Sequence, residues 1–387
     1  MAASRPRKPP VSHRTLPRSP GIDLLRGFSI LLVVVHHLGL RIPLHKTDAG
    51  LWLPTFLLKG LIYNGYEAVF LFFVVSGFLI TRHVLERDGA LARVDWRAFY
   101  ARRVARIAPC LLALVAVLLA CHAAGVPRYI IDKPGQSPLG ATLSTLTFTL
   151  NVYEGRTGWL PGGWDVLWSL SVEEVFYLAF PLVCLTLGRT RWLVPALALL
   201  VLSVPFTRAA IVDNEIWQEK AYLPGMGAIA AGVLAALGVT RFGLPGPRAR
   251  RVLVAAGVAA TALVMFSGGW LWRAVHEGYM LVLIGAAVAF VVASPEGGAP
   301  VRGFGWLRAM GRVSYEVYLT HMFVVFGLVG VAHITGTDTA WGWLWYAPAV
   351  LLAWALGHLV ARGFSDPANH WLRQRLFRRA PAPAAAG

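Results

Sequence analysis

The chain has 387 residues, 57% of them hydrophobic and only 14% charged, a balance that excludes an ordinary soluble domain of this size. Its net charge of +17 would suit nucleic acid, but the arginines lie between apolar runs and in both tails rather than on a patch interleaved with aromatics. They read as topology signals, and nucleic acid is not an expected partner. The cysteines, Cys110, Cys121 and Cys184, are dispersed without disulfide or metal spacing, so no metal is expected.

Residues 1–20 are rich in Arg, Lys and Pro and are expected to form a disordered basic tail on the cytoplasmic side. The first apolar run, 22–40, reads IDLLRGFSILLVVVHHLGL and ends without a cleavage signature, so it is expected to stay as a membrane helix. Arg26 and His37 are eleven residues apart, almost three helical turns, and leave this helix on one face roughly 16 Å apart along the axis. His36 points about 80° away. An arginine in a membrane segment is costly unless it faces protein or water, so the pair marks a candidate site.

Further runs of helix length fall at 66–84, 107–124, 166–187, 192–212, 222–239, 252–270, 278–293, 313–334 and 343–360. With the first they predict an all-α polytopic membrane protein of about ten transmembrane helices. The segment 139–151 is short and rich in Thr and Ser. If it does not cross, every basic loop falls on the side of the N-terminus, so it is expected to be interfacial or re-entrant, with both termini cytoplasmic. The expected organisation is a tail (1–20), a transmembrane domain (21–365) and a cytoplasmic tail (366–387), basic and then Ala/Pro-rich, in a multi-pass protein of the cell membrane.

Several constellations on these runs can carry chemistry. In FFVVSGFLI, Ser76 and Gly77 cut a small polar-edged notch that serves close helix packing or lines a ligand. In RRVARIAP, ahead of the third run, Arg102, Arg103 and Arg106 lie close on one helix face. They are a topology anchor or a phosphate clamp, the latter because guanidinium forks match phosphate oxygens. In WDVLWSLSVEEVFY, Ser169, Glu173 and Tyr177 form a polar stripe with Glu174 one position round, and the glutamates either do chemistry or pair with a buried arginine. In SYEVYLTH, Ser314, Tyr318 and His321 share a side, and Tyr315 and Tyr318 can equally be an interfacial aromatic belt. Counted along the helices, His37 and Glu173 fall at a comparable depth near the outer face, whereas Arg26, Arg103, Arg106 and His321 lie toward the inner face.

An arginine with a histidine eleven residues on, then SGFLI, RRxxRIxP, WSLSVEExFY and SYxxYLxH in this order, resembles the acyltransferase-3 family of integral membrane acyltransferases. The resemblance implies ten helices and transfer of an acyl group, commonly acetyl, from a coenzyme A thioester inside to a hydroxyl acceptor at or beyond the outer face. It makes Arg26 and His37 the first-helix pair, puts Arg103 and Arg106 in the acyl-CoA-binding motif and gives Glu173 the glutamate position of the WSL motif. Some members carry a C-terminal hydrolase-like domain. Nothing after Arg379 could form one, so the membrane-only type is expected, with any partner domain on a separate chain. The expected mechanism has His37 as general base, oriented by Glu173, with acyl-CoA held by Arg102, Arg103, Arg106 and Arg26. An acyl-histidine intermediate stays open. So does the acceptor, which is a carbohydrate, a glycoconjugate or a small natural product. The competing class is a transporter or flippase, which also buries ionisable groups, but the chain shows no paired halves.

Overall fold

The computed structural model describes residues 18–377, so most of the 1–20 tail and the Ala/Pro end of the 366–387 tail lie outside the described residues. The described residues are helical with no strand. The long helices are α1 (Pro20–Gly39), α2 (Gly65–Asp88), α3 (Trp96–Ala123), α4 (Trp168–Leu187), α5 (Leu193–Leu202), α6 (Tyr222–Phe242), α7 (Pro247–Val275), α8 (Tyr279–Ala293), α9 (Ser314–Ile334) and α10 (Tyr346–Val360). Eight stretches of the described residues are long and apolar enough to cross a membrane. One of them, Pro247–Ala293, contains both α7 and α8, and α5 is a shorter apolar helix, which accounts for the ten runs of the sequence.

Local chemistry sets the helix ends. Ser19 caps α1, its hydroxyl accepting from the Ile22 amide and donating to the Ser294 carbonyl, with Pro20 in the first turn. α2 ends at Gly89, whose φ of 76° is the left-handed conformation glycine adopts without penalty. Asp95 caps α3 by accepting from the Ala98 amide at 3.0 Å. That cap places the start of α3 eleven residues before the apolar run at 107, so the arginine cluster lies inside the helix rather than ahead of it.

Small residues fix how the helices cross. A Cβ on Gly77 would lie 1.9 Å from the Ile229 carbonyl oxygen, and one on Gly232 would lie 2.0 Å from that of Val74. α2 and α6 therefore touch backbone to backbone, and nothing larger fits at either position. The short helix Gly305–Arg312 meets α1 in the same way, through Gly27 against Leu307 and Gly311 against Asp23.

Segment 139–151 is covered by the helix Pro138–Leu146 and the start of a second, Leu150–Thr157, of nine and eight residues. At about 13 Å and 12 Å neither can span a bilayer core of about 30 Å. The run 192–212 breaks at Ser203, where Pro205 starts the second helix, Val204–Ala209. Beyond α10 the chain stays helical through Asp366–Phe377, which packs on α3, so the first part of the 366–387 tail is structured.

Candidate active site

α1, α2, α3, α4 and α9 enclose a cavity of about 1220 Å³ that opens at the end of the bundle where α1 begins. Its lining runs on α2 from Val69 to Arg87, about 27 Å at the rise of an α-helix. Seven arginines, Arg18, Arg26, Arg87, Arg102, Arg103, Arg106 and Arg373, face two carboxylates, Glu86 and Glu173. Such a chamber favours an elongated anion.

The arginines of α3 are held as they would need to be to present N–H groups to a ligand. Arg103 donates to Glu174 at 2.7 Å and lies 3.6 Å from the centre of the Tyr177 ring. Its Nε, like Nη2 of Arg102, is buried with no partner among the described residues. Arg106 pairs at 2.9 Å with Glu316, which is 1% exposed and also accepts from Ser365 at 2.7 Å. The glutamate reading thus divides: Glu174 is the ion-pair partner, whereas Glu173 lines the cavity within electrostatic reach of Arg103 and Arg26. The notch of small residues in SGFLI divides as well, since Gly77 is a packing contact and Ser76 lines the cavity, hydrogen-bonded to the Tyr177 hydroxyl.

On α9, Tyr318 donates to the Val166 carbonyl at 2.8 Å and accepts from Ser169 at 2.7 Å. Tyr315 donates to the Ile107 carbonyl at 3.1 Å. Both tyrosines are interior and line the cavity, so neither belongs to an interfacial belt. Their hydroxyls tie α9 to α4 and α3.

The structure does not bring His37 to Glu173. It brings His37 to His321, with Nδ1 of His37 lying 3.3 Å from Nε2 of His321 and 2.9 Å from the Val33 carbonyl. The depth count went astray for two physical reasons. Side chains lean toward the N-terminus of their helix, which turns the His37 ring back to Val33. α9 also begins inside the bundle, with Ser314 and Glu316 each 1% exposed, after Gly305–Arg312 has packed beside α1. His321 therefore sits higher against α1 than a count from the inner surface places it.

The contacts fix both tautomers. A carbonyl oxygen only accepts, so His321, with Nδ1 2.7 Å from the Tyr318 carbonyl, carries its proton on Nδ1 and leaves Nε2 as an acceptor. His37 then carries its proton on Nδ1, shared between the Val33 carbonyl and His321. Its Nε2 keeps the lone pair and has no protein partner among the described residues. His36 faces away, Nδ1 to the Ile62 carbonyl at 2.9 Å and its ring against Gly65.

A second, smaller cavity of about 330 Å³ lies at the opposite end, lined by residues that include Arg41 of the segment after α1 and Phe326 of α9. The two histidines lie between the cavities. Along α1 and the segment after it the order is Arg26, His37, Arg41, and along α9 it is Tyr318, His321, Phe326, the first and last of each lining one cavity and the other. Sequence reasoning missed Arg18, Arg87 and Arg373 in the larger cavity, Glu316 as the anchor of Arg106, and Arg41 beyond His37. Only Arg41 had a signal, being one helical turn from His37 on the same face. Among the described residues no group of three or more His, Cys, Asp or Glu could hold a metal.

The acyltransferase-3 family model, described as an acyltransferase domain, matches residues 19–359. The chain is 30% identical over 167 residues to the O-acetyltransferase OatA of Staphylococcus aureus, covering 42% of this chain and 24% of OatA. It thus spans about a quarter of the length of that relative. It is 28% identical over 319 residues to a Komagataeibacter xylinus protein named as a membrane-bound transacylase, BcsY, covering 79% of this chain and 72% of BcsY. No solved structure matches.

Proposed function

The chain belongs to the acyltransferase-3 family of integral membrane acyltransferases, and on that premise we propose that it moves an acyl group, acetyl by preference, from acyl-CoA to a hydroxyl of a carbohydrate, glycoconjugate or small natural product. The observation that carries the proposal is the placing of His37, with a free Nε2, between a long arginine-lined cavity and a second cavity at the far end. The arginine-rich loops, 82–106, 241–251 and 302–312, lie at the end of the bundle that holds the larger cavity, which the positive-inside rule makes cytoplasmic.

The donor fits that cavity by chemistry. Coenzyme A carries phosphates on a long flexible arm, which suits a chamber about 27 Å deep with a cationic mouth. Arg102, Arg103, Arg106 and Arg373 would take the phosphates, and the unpartnered N–H groups of Arg102 and Arg103 supply donors that need one. Arg26, deeper on α1, lies beside the path to His37.

The acceptor hydroxyl enters from the far cavity. Nε2 of His37 takes its proton as the oxygen attacks the thioester carbonyl. The new C–O bond forms, the C–S bond breaks, and the same proton passes to the sulfur, so coenzyme A leaves as the thiol. The Nδ1 proton shared with Val33 and His321 steadies the imidazolium that forms in between, a role the sequence had given to Glu173. Glu173 instead acts on the donor side with Ser76 and Arg103. Binding of acetyl-CoA to purified protein, followed by thiol release, tests this reading. A protein that binds no acyl-CoA, or binds it and never releases the thiol when hydroxyl acceptors are supplied, contradicts it.

A further inference from the structure

Nothing in the transfer chemistry explains the charge of the far cavity. Arg41, Arg128 and Lys133 converge there around a single lining carboxylate, Asp132. None of the three cations forms an ion pair with a carboxylate among the described residues. Each is held by a backbone carbonyl instead: Arg41 by His37 at 2.7 Å, Arg128 by Phe326 at 3.4 Å and Lys133 by Trp159 at 2.7 Å. The remaining acid nearby, Asp165, is turned to the buried Lys220, which it shares with Glu154, and forms no ion pair with these three cations. A carbonyl orients a cation without neutralising it, so the pocket keeps its positive charge.

The pocket is also built. The guanidiniums of Arg41 and Arg128 lie 4.8 and 5.9 Å from the centre of one ring, Phe326. Arg128 has φ of 71°, a left-handed conformation that a non-glycine residue rarely adopts and that persists only where its surroundings hold it. Gln136 donates through Nε2 to carbonyls of residues 157–159, yet its Oε1 is buried without a partner. That oxygen can accept from a hydroxyl. Arg41 binds the carbonyl of His37 itself, so a group seated here lies about one helical turn from the base.

We propose that this pocket is the acceptor subsite and that it selects a sugar bearing an anionic group, a carboxylate or a phosphate, beside the hydroxyl to be acylated. The proposal rests on the reading that the acceptor enters from this end. Arg41, Arg128 and Lys133 bind the anion, Gln136 Oε1 takes a sugar hydroxyl, and Asp132 weakens binding by repulsion.

The test is equilibrium binding to the full chain in phosphatidylcholine nanodiscs, with trigalacturonic acid, its neutral counterpart galactotriose, and galactose 6-phosphate as probes. The expected result is at least a tenfold preference for an acidic probe over galactotriose, falling with added salt. The two acidic probes separate carboxylate from phosphate. Arg128→Gln with Lys133→Gln, both exposed, should erase the preference, and Asp132→Asn should strengthen acidic binding severalfold. Equal binding of acidic and neutral probes, or an unchanged preference in the double variant, overturns the proposal. So does loss of the acidic preference when phosphatidylglycerol is added to the nanodiscs, which would make the anion a lipid headgroup. The assay contains no acyl donor, so thiol release from acetyl-CoA in the same preparation can succeed or fail independently.

Discussion

Arg103 is the residue at which donor binding and structural pairing can be pulled apart. Its guanidinium gives one N–H to Glu174, stacks on Tyr177 and leaves Nε without a partner. Arg103→Ala therefore does two things: it removes a cation from the donor cavity and it strands Glu174, whose side chain is 9% exposed. Stranding a buried charge costs about 3–5 kcal/mol of stability. Losing one charge-assisted contact costs about 1.5–3 kcal/mol of binding, which is roughly 10- to 150-fold in Kd. Replacing both members, Arg103→Met with Glu174→Met, leaves no stranded charge and is expected to restore thermal stability to near that of the wild type. It is not expected to restore acyl-CoA affinity. Equilibrium binding of acetyl-CoA and a thermal melt on the same detergent-solubilised samples read the two effects separately. A paired variant that melts normally and binds acetyl-CoA as tightly as the wild type would show that Arg103 serves Glu174 alone.

Other outcomes follow from the same physical arguments. Arg106→Lys should recover only part of the affinity lost in Arg106→Ala, because an ammonium cannot keep Glu316 and a phosphate in a planar fork, and titration with acetyl-CoA measures it. Lys220→Met should destabilise by about 3–5 kcal/mol, since Lys220 is fully buried and its loss leaves Glu154 and Asp165 unpaired; the melting temperature reads this. Gly77→Leu should prevent accumulation of folded protein, because a side chain there meets the Ile229 carbonyl, and fluorescence-detected size exclusion shows whether it does. Reporters fused after Asp88 or Arg250 should report cytoplasm, and reporters near Gly135 or Gly336 the outer side; a cytoplasmic Gly135 would overturn the span count.

The helices were legible because bilayer-length apolar runs and arginine-bearing loops are one-dimensional signals. That His36 and His37 face different ways was legible too, since helical phase separates them and His36 turns to Ile62 while His37 turns to Val33 and His321. What could not be read were partners supplied from far along the chain. Glu174 stands 71 residues from Arg103, and Ser365 stands 259 from Arg106. No local pattern announces such pairs. The depth argument failed for His321 because it assumed that α9 starts at the membrane surface, whereas Gly27 and Gly311 let a short helix fold in beside α1 first. No sequence pattern links Arg41, Arg128 and Lys133, and only the fold shows that they share a cavity.

The central claim is that Nε2 of His37 removes the acceptor proton, and the most direct measurement is the rate of thiol release from acetyl-CoA by wild-type, His37→Ala, His36→Ala and His321→Ala proteins side by side, each with its acetyl-CoA affinity. His37→Ala should lose about 10²–10⁴ in rate and still bind acetyl-CoA, because Arg26 is roughly 16 Å away along α1 and the phosphate-binding arginines lie on other helices. His321→Ala should lose less, since Val33 still holds the His37 ring, and His36→Ala least of all. A His37→Ala protein that releases thiol at the wild-type rate, or a dead His36→Ala beside an active His37→Ala, would contradict the account.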